Sequence, residues 1–234
     1  MNFELLFQLL LNGLIVGTLY GVVAMCFVLI YKSTQIVNFA QGEFLLIGAW
    51  VCYAFLVEMH MPFWMGFLFT LLFMMVFGIV LQMVVLRPMI GEPIISVIMV
   101  TIGLSIFFQA ATKWIFGATT ATYPQVFETR SVNLLGMQIE TAYIMSFVIS
   151  LFIMAGFYWF FKYSKLGLAM RATAFDQQVA QSLGISVKTV FAMSWAISAL
   201  VSGVAGIVIG MVNGVSSALS VIRIKVFPAV ILGG

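Results

Sequence analysis

Residues 5–31 read LLFQLLLNGLIVGTLYGVVAMCFVLIY, 27 residues without a charge. As a helix this run is about 40 Å long at 1.5 Å per residue. The hydrocarbon core of a bilayer is about 30 Å thick, so the run crosses it with tilt. Gly13, Gly17 and Gly21 recur every fourth residue. That spacing puts them on one face, where another helix is expected to approach closely. The stretch lacks a basic leader, its first acid is Glu4, and its apolar run is too long for a cleavable signal, so it is expected to remain as a span.

The rest of the composition agrees. The chain is 64% hydrophobic and 7% charged, against about 25% charged in a soluble domain. A soluble fold has nowhere to hide that much apolar surface. The expected class is all-α: a polytopic helical membrane protein. The net charge of +3 says little, because placement of Lys and Arg matters more than their sum. Cys26 and Cys52 sit inside apolar runs and fit packing rather than a disulfide or metal site. His60 lies in a short polar turn, Glu58-Met-His-Met-Pro62. No nucleophile with its base, phosphate-binding glycine loop, zinc cluster or basic nucleic-acid face is recognisable. The expectation is therefore neither an enzyme nor a nucleic-acid binder.

Further spans follow in order. After Lys32 to Glu43 (KSTQIVNFAQGE), Phe44 to Val57 is apolar for only 14 residues, short of the roughly 20 a crossing needs. Either the helix begins earlier, taking Asn38, Gln41 and Glu43 into the membrane boundary, or the segment is broken or re-entrant, as near many transport paths. Glu43 there suits a functional role or an interfacial anchor. Residues 63–86, 94–112, 141–161 and 187–212 give four more spans. Thr101, Ser105 and Gln109 draw one polar stripe along the fourth, suited either to lining a polar path or to hydrogen bonding between helices. Ser198, Ser202, Gly206 and Gly210 form a small-residue seam on the sixth. Arg223 and Lys225 precede an apolar start at Val226 to Leu232. The expectation is about six complete transmembrane helices, one short or broken after the first, plus a truncated seventh. Residues 1–234 read as a single, C-terminally incomplete transmembrane domain.

Two polar segments interrupt the spans. Residues 113–140 include VNLLGMQI (132–139), which alternates around Gly136 as a small hairpin would. Residues 162–188 read KYSKLGLAMRATAFDQQVAQSLGISVK and hold four of the ten basic residues. Thr173 with Asp176 fits a capping pair. Ala172, Phe175, Val179 and Leu183 fall on one face of a short amphipathic helix, and Gly184 fits its left-handed end. Such a helix suits a lipid surface or a docking knob for another subunit.

Alternation of the spans puts residues 32–43, 87–93 and 162–188 on one side, with six basic residues. The other side has Lys113 and Arg130, with Arg223 and Lys225 if the tail lies there. The positive-inside rule makes 162–188 cytoplasmic, 113–140 extracytoplasmic and the N-terminus extracytoplasmic. No acid or base is expected mid-span, which argues for energy supplied by a separate subunit rather than an ion gradient.

Three stretches resemble one known family. Val37-Asn-Phe-Ala-Gln-Gly-Glu-Phe44, after Leu29-Ile-Tyr31, is similar to the hallmark following the first span of bacterial branched-chain amino-acid ABC importer permeases. Gly167-Leu-Ala-Met-Arg-Ala172, with Asp176, Ala180 and Leu183-Gly-Ile185, is similar to that family's cytoplasmic loop. Phe227-Pro-Ala-Val-Ile-Leu-Gly-Gly234 resembles the start of its next block. The order and spacing fit over essentially the whole chain. In many relatives a His stands at the position of Gln41, so no titrating role is expected there.

The resemblance implies an inner-membrane permease subunit that catalyses no chemistry and binds no cofactor itself. The implied partners are a second permease chain, identical or homologous, two cytoplasmic ATPase subunits carrying ATP-Mg, an extracytoplasmic solute-binding protein and membrane lipid. By the same resemblance, Arg171, Phe175, Asp176, Val179, Leu183 and Gly184 form the ATPase-coupling element. Asn38, Gln41, Glu43, Thr101, Ser105 and Gln109 are the candidate path residues. Urea, short amides or sugars remain alternative cargoes, and an ion-coupled secondary carrier or a membrane scaffold are alternative classes.

Overall fold

A computed structural model describes residues 3–124, 131–134 and 137–233. Its helices are α1 (Phe3–Thr34), α2 (Gln41–Tyr53), α3 (Phe63–Leu81), α4 (Ile94–Phe116), α5 (Thr141–Tyr163), α6 (Lys165–Phe175), α7 (Gln177–Ser182), α8 (Val187–Asn213) and α9 (Ala218–Gly233). A π turn (Ala54–Glu58) extends α2, and another (Gln82–Leu86) extends α3. Strands β1 (Ser131–Leu134) and β2 (Met137–Glu140) pair antiparallel, Ser131 opposite Glu140. The hairpin expected before the fifth span is thus present. Gly136, around which that reading turned, and Arg130, counted toward the sidedness of the spans, lie outside the described residues.

Among the described residues, six helices are long and apolar enough to cross a membrane: Gln8–Thr34, Gln41–Glu58, Phe63–Met89, Ile94–Phe116, Thr141–Tyr163 and Val187–Asn213. They are the six that hydropathy anticipates. The second is short, as expected, and begins at Gln41, earlier than its apolar run, so Gln41 and Glu43 fall within it. The reason is local. Gln35 takes a left-handed φ of 59° and stops α1. The Asn38 side chain then accepts from Ala40 N at 3.0 Å, turning the chain back into the bundle.

The central pillar is α8, which packs on α1, α2, α3, α5 and α6. Small residues let it do so. A Cβ on Gly48 of α2 would lie 2.5 Å from Gly203 Cα, and one on Gly78 of α3 would lie 2.5 Å from the Trp195 carbonyl oxygen. Gly206 meets the backbone of Leu45 closer still. Trp195 is fully enclosed and meets Phe44 edge to face at 6.0 Å. The α8 seam is therefore a true helix-contact face. The α1 seam is not one within this chain. A Cβ on Gly13 or Gly17 would meet nothing, and Gly21 alone nears Met154, at 3.8 Å.

The two ends of the bundle differ. At one end Thr34, Gln35, Met89, Glu92 and Gln177 line a common cavity, so the ends of α1 and α3 share that end with α6 and α7. At the other, Ala121 and Val215 exchange backbone hydrogen bonds of 2.9 and 2.7 Å. There the Tyr123 hydroxyl donates to the Ala49 carbonyl at 2.7 Å.

Candidate functional site

The sequence brings hydroxyls, amides and one carboxylate together where the first turn of α2 meets the middles of α4 and α8. Because α2 starts deep in the bundle, its first turn is level with the midpoints of α4 and α8. Gln41 Nε2 donates to Ser202 Oγ. Gln41 Oε1 accepts from Asn38 Nδ2 at 3.2 Å and from Ser198 Oγ at 3.3 Å. Ser198 Oγ also lies 3.2 Å from the Cys26 carbonyl of α1. All four polar side chains are buried, and buried polar groups need such partners.

A second cluster adjoins it. Ser105 Oγ, at the midpoint of α4, donates to Glu43 Oε1 at 3.0 Å. Arg223 of α9 pairs with the same carboxylate oxygen and donates to Ser105 Oγ at 2.6 Å. Glu43 is fully enclosed, and Arg223 has 23% of its side chain exposed. The second Glu43 oxygen, Oε2, has no partner among the described residues. Above and below, Thr101 Oγ1 accepts from Phe39 N at 3.3 Å, and Gln109 Nε2 donates to Ser220 Oγ at 3.2 Å. The polar stripe of α4 thus reads inward onto the α1–α2 link and α9.

All six expected path residues therefore come together. Two expectations are corrected. Charge does sit at mid-depth, since hydropathy windows equate position in sequence with depth and miss a helix that starts halfway. Arg223 does not belong to a tail at the rim, because α9 begins at Ala218, well before Val226, and carries Arg223 into the bundle. Ser198 and Ser202, read as packing residues, also belong to the network, and Ser220 was missed. A signal for Arg223 was present: a basic residue flanked by Ile222 and Ile224 in an apolar helical run reads as a buried, partnered charge.

The 162–188 segment forms two helices rather than one. Ser164 Oγ accepts from Gly167 N at 2.8 Å and caps α6. Asp176 Oδ1 accepts from Gln178 N and Val179 N at 2.8 and 3.0 Å and caps α7. The Thr173–Asp176 capping pair is corrected accordingly. Thr173 lies inside α6 and donates to the Ala169 carbonyl at 2.8 Å, since the Ser164 cap starts the helix about two and a half turns earlier. Gly184 ends the unit at φ 85°, as expected. Phe175, Leu183 and Val179 are 93%, 75% and 55% exposed, and Arg171 and Asp176 are exposed beside them. An apolar face this bare, on the loop side of the bundle, is a surface fitted for contact.

The family described as branched-chain amino acid transport system / permease component matches residues 9–234. The high-affinity branched-chain amino acid transport system permease protein BraD of Pseudomonas aeruginosa is 30% identical, over 97% of this chain and 78% of that protein. LivH of Escherichia coli, a permease protein of the same description, is 27% identical over the same shares. A probable LivH of Methanocaldococcus jannaschii is 25% identical over 97% of this chain and 74% of that protein. No solved structure matches the chain significantly.

Proposed function

From the premise that this chain belongs to the branched-chain amino acid transport system permease family, we propose that it is the membrane-spanning permease of an ATP-driven importer of branched-chain amino acids in a bacterial inner membrane. The observation that carries the reading is the family match, which runs from residue 9 to residue 234. The chain itself is a transport subunit. ATP hydrolysis falls to two cytoplasmic ATPase subunits, a second permease chain completes the path, and an extracytoplasmic binding protein delivers cargo at the β1–β2 end.

The geometry supports a division of labour. Phe175, Val179 and Leu183 supply an apolar grip for the ATPase, with Arg171 and Asp176 orienting it. Gly184 lets the chain turn sharply into α8. Movement of α6 and α7 is carried by α8, which meets the backbone of α2 through Gly206 and Gly48 and lies close against α3 at Gly78. Rigid-body motion of packed helices is how such contacts transmit change. By the positive-inside rule the α6–α7 end is cytoplasmic and the N-terminus extracytoplasmic.

The test is co-purification from detergent-solubilised membranes. The native chain brings down an ATPase subunit. A chain with Phe175, Val179 and Leu183 all changed to Ser inserts normally but loses it. A well-folded native chain that captures no ATPase contradicts the reading. One observation favours the ion-driven carrier as second reading: the buried Glu43–Arg223 pair is the kind of group that couples ion gradients to transport. Collapse of uptake by an ionophore, with vanadate inert, would establish that alternative.

A further inference from the structure

Between the end of α3 and the start of α8 lies a groove of about 410 Å³, within the range of about 300–1,000 Å³ usual for small-molecule sites. Its rim carries Arg87 and Lys188, and no acid lines it among the described residues. Its wall includes Gln82, which is 1% exposed and whose Nε2 has no acceptor among the described residues. A buried amide donor left unpaired is destabilising, so it asks for an acceptor.

Two further donors face the same space. Ser186 Oγ accepts from Thr189 N at 3.4 Å and from Thr189 Oγ1 at 2.9 Å, which leaves the Ser186 O–H free to donate. α8 begins at Val187, so its first N–H groups and the positive end of its dipole lie at this rim. The lower wall is different in kind. Ile79, Met83 and Met193 line it, and Ile79 is about 12 Å down α3 from Arg87 at 1.5 Å per residue. Met83 is half exposed on the outer surface of the bundle. The groove is thus cationic and donor-rich at the membrane boundary and apolar toward the bilayer centre.

We propose that this groove is a specific site for an anionic phospholipid. The phosphate sits between Arg87 and Lys188, an oxygen of the headgroup or ester region accepts from Gln82 Nε2 once that side chain turns out into the groove, and one acyl chain lies along Ile79, Met83 and Met193. A basic pocket between transmembrane helices at the interface is a recognised form of lipid site. The apolar wall favours a lipid over a free phosphate, which has no use for it. The site lies apart from the Glu43 cluster and the α6–α7 face, so it does not depend on the transport reading. It stands at the joint between α3 and the start of α8, where a bound lipid would tie the two helices together.

The test uses the purified full chain in mixed micelles, with phosphatidylglycerol, phosphatidylcholine and inorganic phosphate as probes. Thermal unfolding is followed by tryptophan fluorescence and bound lipid by native mass spectrometry. Phosphatidylglycerol raises the unfolding midpoint and stays bound; phosphatidylcholine and phosphate do neither. Arg87→Gln with Lys188→Gln, both at exposed positions, lowers phosphatidylglycerol affinity about thirtyfold, the worth of two interfacial cations. Gln82→Leu keeps the packing and weakens binding less. Equal stabilisation by phosphatidylcholine, stabilisation by phosphate alone, or an unchanged preference in the double variant overturns the proposal.

Discussion

Glu43 and Arg223 stand 180 positions apart in the chain and form an ion pair inside the bundle, closed into a triangle by Ser105. The pair joins the first turn of α2 to the second turn of α9. It also sits where two of the stretches that resemble the permease family meet: Phe39 and Phe227 pack with ring centroids 5.3 Å apart.

Breaking one half of this pair leaves the other as a buried, unpartnered charge. Such a loss costs about 3–5 kcal/mol. Glu43→Gln and Arg223→Gln each lower the unfolding midpoint in detergent, and each reduces leucine uptake. The double variant recovers much of the stability but not the uptake. Additive losses in the double variant would show that the two groups act independently.

The glycine contacts make a sharper contrast. Gly48→Ala and Gly206→Ala drive a methyl into the backbone of a neighbouring helix and destabilise the fold. Gly13→Ala and Gly17→Ala add a methyl to open space and leave the stability of the isolated chain unchanged. Thermal unfolding of the four variants in one detergent decides this. Equal losses at all four positions would contradict the packing described.

Gly184 tests the coupling unit. At φ 85° a Val at this position is strained, since the left-handed region costs a residue with a Cβ about 1–2 kcal/mol. Gly184→Val leaves the chain inserted and folded, yet lowers transport and stimulated ATP hydrolysis in the assembled complex. Full activity in that variant would remove Gly184 from the mechanism.

Tyr123 gives a pH dependence outside the membrane spans. Burial raises its phenol well above the ordinary value of 10, with nearby Cys52 adding to the shift. A group raised on folding contributes its full stability below its unfolded pKa and loses it as pH climbs toward the folded one. The unfolding midpoint therefore holds to about pH 10 and then falls. In Tyr123→Phe the midpoint is lower at neutral pH, for want of the bond to Ala49, and the alkaline fall is shallower. Identical alkaline profiles would refute this role.

Much of this architecture was legible beforehand, for physical reasons. Apolar runs such as 5–31 and 63–86 have one home, and period-four small residues such as Ser198 to Gly210 mark one helix face. The α4 stripe, Thr101 to Gln109, announced an inward polar face, though not its partners. What stayed hidden depended on tertiary depth. Nothing local tells that residues 35–40 fold back and start α2 halfway through the bundle. Once α2 is placed, Glu43 is an interior group and Arg223 its obvious counter-ion. Likewise the competition between Ser164 and Thr173 for a helix start turned on Ser164 reaching Gly167 N, a contact no pattern specifies.

The most direct measurement is uptake of labelled leucine by vesicles that hold the assembled complex, with ATP inside and a binding protein outside. The account predicts uptake that requires ATP, stops with vanadate, survives an ionophore, and is lost when Phe175, Val179 and Leu183 are Ser. Uptake that persists without ATP and collapses with the ionophore would contradict it.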